Sequence, residues 1–261
     1  MRHNKLRELL DTGQPTIGTH LHSTWPSIVE VVGHTRLFDY VEFVAEYAPF
    51  DFYSLDNFCR AVELFDMSSM IKIEIPRCFL AQRAIGSGFQ SILFADCRTA
   101  DDVRECVRVV RPDTPQDGGY FGAATRRIAY MGYGGGPDYV QALRDVVVVI
   151  MVEKKATVDH LEEILSVDGV DMIQWGPTDY SMSIGRPGAQ HTPEVKRVES
   201  QVIETCLRMG VPPRAEINSV DEAKYYLDLG VRHFCIGTDI SILYQWLRQN
   251  GEALRKAVLD F

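Results

Sequence analysis

The stretch Val146-Val-Val-Val-Ile-Met-Val152-Glu153 is an unbroken β-branched and aliphatic run closed by a carboxylate, and the fold follows from how it is read. It is too short for a packed helix and far short of the roughly 20 residues that span a bilayer, so it reads as a strand buried on both faces, the kind that parallel sheets use. Alternation places Val147, Val149, Met151 and Glu153 on one face and Val148, Ile150 and Val152 on the other. Seven further short apolar segments accompany it: Thr16 to His22, Tyr40 to Ala45, Met70 to Ile75, Ser91 to Ala95, Met172 to Trp175, Pro213 to Ile217 and His233 to Ile236. Between them lie stretches whose apolar residues fall three or four apart, among them Thr99 to Val110, Val158 to Leu165, Pro193 to Arg208 and Val220 to Leu229. Eight alternating units predict the α/β class and a closed (β/α)8 TIM barrel, because a doubly wound sheet would carry a glycine-rich fingerprint after its first strand and Thr16-Ile-Gly-Thr-His-Leu-His-Ser23 has none.

The 261 residues suit one barrel of about 250, so a single domain over 1–261 is expected. A segment from Arg111 to Tyr139 is longer than an ordinary connection and contains Asp117-Gly-Gly and Gly134-Gly-Gly-Pro137. It matches no phosphate-binding pattern and reads as a lid or a subunit-contact loop. With 27 basic against 36 acidic residues and a net charge of −9, a nucleic-acid partner is not expected. No segment reads as a membrane helix, and Met1-Arg-His-Asn-Lys-Leu-Arg-Glu-Leu-Leu10 lacks the apolar core and cleavage site of a secretory signal, which points to the cytoplasm. The cysteines at 59, 78, 97, 106, 206 and 235 form no Cys-x-x-Cys pair and read as reduced structural thiols.

A barrel keeps its chemistry at the C-terminal ends of its strands, so polar residues closing apolar runs are the candidates. Glu153 is the first; a carboxylate there needs a cation or donor to meet it, whether a metal or an ion pair with Lys154, Lys155 or an Arg elsewhere. Asp179 is the second, in Met172-Ile-Gln-Trp-Gly-Pro-Thr-Asp-Tyr180, where Gly176-Pro177 turns the chain and lets backbone amides approach a ligand; its alternative role is to cap a helix over Tyr180 to Ile184. Two carboxylates on consecutive strand ends suit a hard divalent cation with positions left for substrate oxygens. On the first strand, period two puts Gly18, His20 and His22 on one face, so both imidazoles are candidates for proton transfer or ligation, or for a structural role. Glu46-Tyr47-Ala48-Pro49 and Lys72 complete the polar rim.

Trp175-Gly-Pro-Thr-Asp-Tyr-Ser-Met-Ser-Ile-Gly185, with Val152-Glu153 one β/α unit upstream, Tyr226-Leu-Asp-Leu-Gly230 and Gly237-Thr-Asp239 downstream, and Glu46-x-Ala-Pro49 and Gly88-Phe-Gln90 before it, resembles the HpcH/HpaI family of class II pyruvate aldolases from about Gly18 to Ile242. The resemblance implies a barrel of the phosphoenolpyruvate/pyruvate-binding type, assembled as a hexamer with the last helix exchanged between subunits. It implies Mg²⁺, Mn²⁺ or Co²⁺ on Glu153 and Asp179, and a 2-oxo acid substrate held by the amides of Gly176, Thr178 and Asp179 beside Trp175. The implied reaction cleaves a 4-hydroxy-2-oxo acid to pyruvate, or a similar 2-oxo acid, and an aldehyde. The family's catalytic His is replaced by Tyr47, its partner Asp falls near Gly86, and the Arg that steadies the enolate oxygen aligns with Lys72, with Arg77 as a second source of a guanidinium. A phenol of pKa about 10 is only about 0.1% ionised at neutral pH, a deficit of about 4 kcal/mol, so Tyr47 is expected to donate a hydroxyl and His20 or His22 to move the proton. Loss of the usual dyad leaves two other readings: a decarboxylase, hydratase or tautomerase on a 2-oxo acid, and a barrel that binds a metabolite without turning it over.

Overall fold

A computed structural model describes residues 2–75, 78–126 and 134–260. The elements run α1 (Lys5–Asp11), β1 (Thr16–Leu21), α2 (Pro26–Thr35), β2 (Tyr40–Val44), α3 (Phe52–Val62), β3 (Ser68–Glu74), α4 (Cys78–Ser87), β4 (Ser91–Ala95), α5 (Ala100–Val110), α6 (Pro137–Arg144), β5 (Val147–Val152), α7 (Lys155–Asp159), α8 (Leu161–Leu165), β6 (Met172–Trp175), α9 (Pro177–Ser183), α10 (Pro193–Arg208), β7 (Pro213–Ile217), α11 (Val220–Asp228), β8 (His233–Thr238) and α12 (Asp239–Leu259). All eight strands pair in parallel and in chain order, and β8 closes on β1. The expected (β/α)8 barrel is the one observed.

Its core has two shells, and β5 divides between them as the alternation requires. Val147, Val149 and Met151 pack inside the barrel with Tyr40, Met70, Leu93 and Cys235. Val148 and Ile150 face outward into the layer beneath α3, α4 and α5, and Val152 joins the cluster beneath α10. Helix α1 plugs the N-terminal end of the barrel: Leu6 is fully buried, and its amide donates to Ser68 Oγ at 3.0 Å, which also draws the start of β3 back to Ser68. Gly18 is needed on β1 because a Cβ there would lie 2.3 Å from the Tyr40 ring, which fills the barrel interior. The ladder is thinnest between β6 and β7, where only Ile173↔Pro213 and Gln174↔Arg214 are in register.

One expectation changes. The helix read over Val158 to Leu165 is broken at His160, whose backbone is non-helical; this lets Thr157 turn inward and donate its hydroxyl to the Cys97 carbonyl at 2.5 Å. The long segment after Val110 connects a helix to the next strand, so it starts at the end of the barrel opposite the mouth. Its described residues are anchored there and along the flank of α4: Arg111 donates to the Val146 carbonyl at 2.7 Å, and Gln82 reaches the Tyr120 carbonyl at 3.1 Å. Among those residues none lines the cavity, and residues 127–133 of the segment lie outside the described residues.

Helix α12 leaves the barrel with none of its 21 residues buried, presenting Ile240, Leu243, Leu247 and Leu254 to solvent. Its first residue is tied down: Asp239 accepts the amides of His22 and Ser23 at 2.9 and 3.1 Å, fixing the chain where β1 ends. No helix among the described residues is long and apolar enough to cross a membrane.

Candidate active site

A cavity of about 740 Å³ opens at the C-terminal ends of the strands, and Tyr47, Lys72, Glu153, Trp175, Gly176, Thr178, Asp179 and Glu216 all contribute to its wall. Most of the residues singled out from sequence therefore converge on one mouth. Arg77 lies outside the described residues.

Glu153 follows β5 and is almost fully buried. Its Oε1 accepts the Asp96 amide at 2.7 Å, and Asp96 presents that amide from a left-handed turn at φ +66°. Burial pushes the Glu153 carboxyl up, while the Asp96 amide and the Lys72 and Lys154 charges pull it down; the net direction is upward. A buried carboxylate of this kind gains from a cation facing its other oxygen. Lys154 does not face it directly but bridges Asp96 at 2.7 Å and Asp179 at 3.1 Å, so the ion pair foreseen for Glu153 goes to its neighbours instead. Asp179 stands in the first turn of α9, whose N-cap is Gly176, so it is not the cap itself.

Gly176 makes a cradle against Glu153 that leaves no room for a side chain. A Cβ there would sit 2.7 Å from Glu153 Cβ and 2.9 Å from Met151 Cε. Glu153 and Asp179, both on the wall of the same cavity, form a donor set that fits a hard divalent cation. Gly176→Ala is expected to cost about 1–3 kcal/mol of stability through overpacking and to weaken divalent-cation binding, read by thermal unfolding and by metal titration; unchanged metal affinity would show that the cradle is not used.

Opposite lies the β2–β3 rim. Lys72 Nζ pairs with Glu46 at 2.7 Å and stands 5.0 Å from the centre of the Tyr47 ring. Burial alone would lower Lys72, yet Glu46, Tyr47 and Glu153 raise it, so it stays charged. Burial, opposed by Lys72 and helped by Glu46, pushes the Tyr47 hydroxyl up to about 12, which keeps it a donor. His22 lies beyond the end of β1 with its ring centre 6.3 Å from that of Tyr47.

His20 is not at the surface of the mouth. It is 5% exposed, with Nε2 3.4 Å from Glu42 and Nδ1 3.4 Å from Glu216. Glu42 pairs at 2.5 Å with Arg214, which is also fully buried and donates through Nε to Gln174 Oε1 at 2.6 Å. Gln174 in turn donates to Glu216 at 2.9 Å. Burial would lower His20, but Cys235, Glu42 and Glu216 raise it well above the ordinary imidazole value. Burial would raise Glu216, but His20, Arg214 and Lys72 bring it down to about 2. The result is a charge-balanced row, Arg214–Glu42–His20–Glu216, whose last carboxylate meets the cavity. His20, Glu42 and Cys235 also bring three donor atoms within 4.8 Å of one another. Arg214 already supplies the positive charge against Glu42, and a dication there would be repelled by it.

A group depressed in the folded state stabilises the fold above its ordinary pKa and ceases to do so as pH falls through the folded value. For Glu216 that window runs from 4.5 down to about 2. The fall in thermal midpoint across this range is expected to be shallower in Glu216→Gln; an identical acid limb would mean that the carboxylate is not held down.

Sequence reading missed Glu42, Arg214, Glu216 and Gln174. Each occupies an inward position of a strand; Pro213-Arg-Ala-Glu-Ile217 shows two charges at period two, and Tyr40-Val-Glu-Phe-Val44 a single one, inside otherwise apolar runs. That pattern was the available signal.

A closed eight-stranded barrel with two carboxylates on consecutive strand ends defines the class of protein, a (β/α)8 barrel with an acidic cavity at its mouth. The chain belongs to the HpcH/HpaI aldolase/citrate lyase family, whose model matches residues 19–243. Among its relatives, the hydroxypyruvate/pyruvate aldolase of Roseovarius nubinhibens is 28% identical over 252 residues, covering 94% of this chain and 95% of that one. The 4-hydroxy-2-oxo-heptane-1,7-dioate aldolase of Escherichia coli is 27% identical over 241 residues, covering 92% and 90%. A solved HpcH/HpaI aldolase/citrate lyase family protein from Burkholderia cenocepacia superposes with a TM-score of 0.87 at 27% identity, over 97% of this chain and 100% of that one.

Proposed function

We propose that the protein is a divalent-metal-dependent carbon–carbon lyase that cleaves a 4-hydroxy-2-oxo acid to pyruvate, or a similar 2-oxo acid, and an aldehyde. The observation that carries this reading is the buried Glu153 carboxylate, fixed by the Asp96 amide beside the Gly176 cradle and sharing the wall of one cavity with Asp179. Glu153 and Asp179 would hold Mg²⁺, Mn²⁺ or Co²⁺, which supplies a Lewis acid for charge developing on a keto oxygen. The amides of Gly176, Thr178 and Asp179 orient the substrate carboxylate beside Trp175. Lys72, kept charged by Glu46, faces the oxygen on which charge develops, and the Tyr47 hydroxyl donates to the same region. His20, held protonated between Glu42 and Glu216, can deliver a proton to the 2-oxo acid product through the Glu216 carboxylate at the cavity wall. His22 is the alternative carrier, by its place beside Tyr47.

We also propose that the active form is a hexamer in which α12 covers a neighbouring subunit, since a 21-residue helix with no buried residue needs an apolar seat. The test is pyruvate release from a panel of 4-hydroxy-2-oxo acids after chelation, and after return of each metal singly. Aldehyde and 2-oxo acid in equal amounts, lost on chelation and restored by metal, are expected. Activity indifferent to chelation, or CO₂ without aldehyde, would overturn the reading, the second in favour of a decarboxylase.

A further inference from the structure

Three of the cysteines that look scattered in sequence meet in the fold, outside the lining of the cavity. Cys78 opens α4, Cys106 lies on α5, and Cys97 sits in the turn between β4 and α5. Cys106 Sγ is 3.9 Å from Cys78 Sγ and 3.7 Å from Cys97 Sγ, so the middle sulfur touches both of the others. Cys97 and Cys106 are fully buried, whereas Cys78 is half-buried and is the sulfur that solvent reaches. Cys59, Cys206 and Cys235 are all buried.

We propose that Cys78 is a peroxide-reactive modification site and that Cys106 is its resolving thiol, the two closing a disulfide that joins α4 to α5. In the first step the Cys78 thiolate attacks one oxygen of hydrogen peroxide, the O–O bond breaks, and the products are a Cys78 sulfenic acid and hydroxide, which takes up a proton as water. In the second, Cys106 sulfur attacks Cys78 sulfur, the S–O bond breaks, and the Cys106 proton leaves with the oxygen as a second water. Two thiols are oxidised and one peroxide is reduced.

The geometry supplies what each step requires. The attacking sulfur must be reachable and held as thiolate; the Cys106 thiol donates toward Cys78 and holds it below the usual thiol range, against the opposing effect of burial. The resolving sulfur must be close and shielded; Cys106, hydrogen-bonded to both neighbours and buried, is raised and stays a thiol until Cys78 is oxidised. The triad also adjoins the chemistry already described, since Cys97 follows Asp96, whose amide aims Glu153.

The experiment treats the intact protein with hydrogen peroxide, counts free thiols over time, and maps disulfides by peptide mass. Wild type is expected to lose two of its six thiols rapidly, to yield a Cys78–Cys106 crosslinked peptide, and to regain both thiols with dithiothreitol. Cys106→Ser and Cys106→Ala should stop at a Cys78 sulfenic acid captured by dimedone; agreement of the two variants separates chemistry from packing. Cys78→Ser should slow thiol loss by about tenfold or more. A crosslink that omits Cys78 or Cys106, thiol loss at the wild-type rate in Cys78→Ser, or no thiol loss in wild type would overturn the proposal. None of these readouts depends on turnover, so they are independent of the lyase reading.

Discussion

Glu153→Gln should lower kcat/KM for 2-oxo acid release by about 10³-fold, or about 4 kcal/mol, while leaving the barrel folded. The amide oxygen of Gln keeps an acceptor for the Asp96 amide, so the local hydrogen bond at 2.7 Å can survive. What is lost is the negative charge toward the cradle. Burial already disfavours that charge, which is therefore present for what it faces rather than for the stability of β5. Apparent metal affinity should fall along with kcat/KM, and excess metal should restore only part of the rate. A variant that keeps kcat/KM within about tenfold of wild type, with an unchanged circular dichroism spectrum, would remove Glu153 from the chemistry.

Arg214→Met should produce the largest loss of stability among single substitutions at the site, about 3–5 kcal/mol by denaturant unfolding, because Glu42 would then be a fully buried carboxylate without its guanidinium partner. Arg214 also donates to Gln174 and Tyr40, so its removal strips donors from two further buried groups. The double variant Arg214→Met with Glu42→Gln should recover much of the loss, since the unpaired charge is gone. A single variant within about 1 kcal/mol of wild type would mean that the row is not held by this pair.

The barrel was legible because its strands are apolar on both faces. The run ending at Glu153 divides between inner and outer shells by simple alternation, and β4, β6 and β7 begin and end where the apolar segments do. The place of Glu153 and Asp179 on the cavity wall was legible for the same reason: each follows the end of a strand whose direction is fixed by the fold. His20 was placed on the right face of the right strand, but period alone does not tell depth. Whether an inward side chain meets the cavity or the barrel interior depends on the stagger of neighbouring strands, which sets His20 beside Glu42 and leaves Glu216 at the opening. The row that surrounds His20 comes from β2, β6 and β7, and a pairing across 174 residues, such as Arg214 with Tyr40, leaves no local trace. The break at His160 and the course of the segment after Val110 were set by bonds to Cys97 and Val146 carbonyls, which are likewise distant in the chain.

The two-pair ladder between β6 and β7 sets where the hoop of strands yields first. Amides of Ile173 and its neighbours should exchange with deuterium ahead of those in β3 and β4, where five pairs are in register. This seam lies under the same opening that Glu216 and Gly176 border, so breathing of the staves there would widen the port through which a bulky product departs.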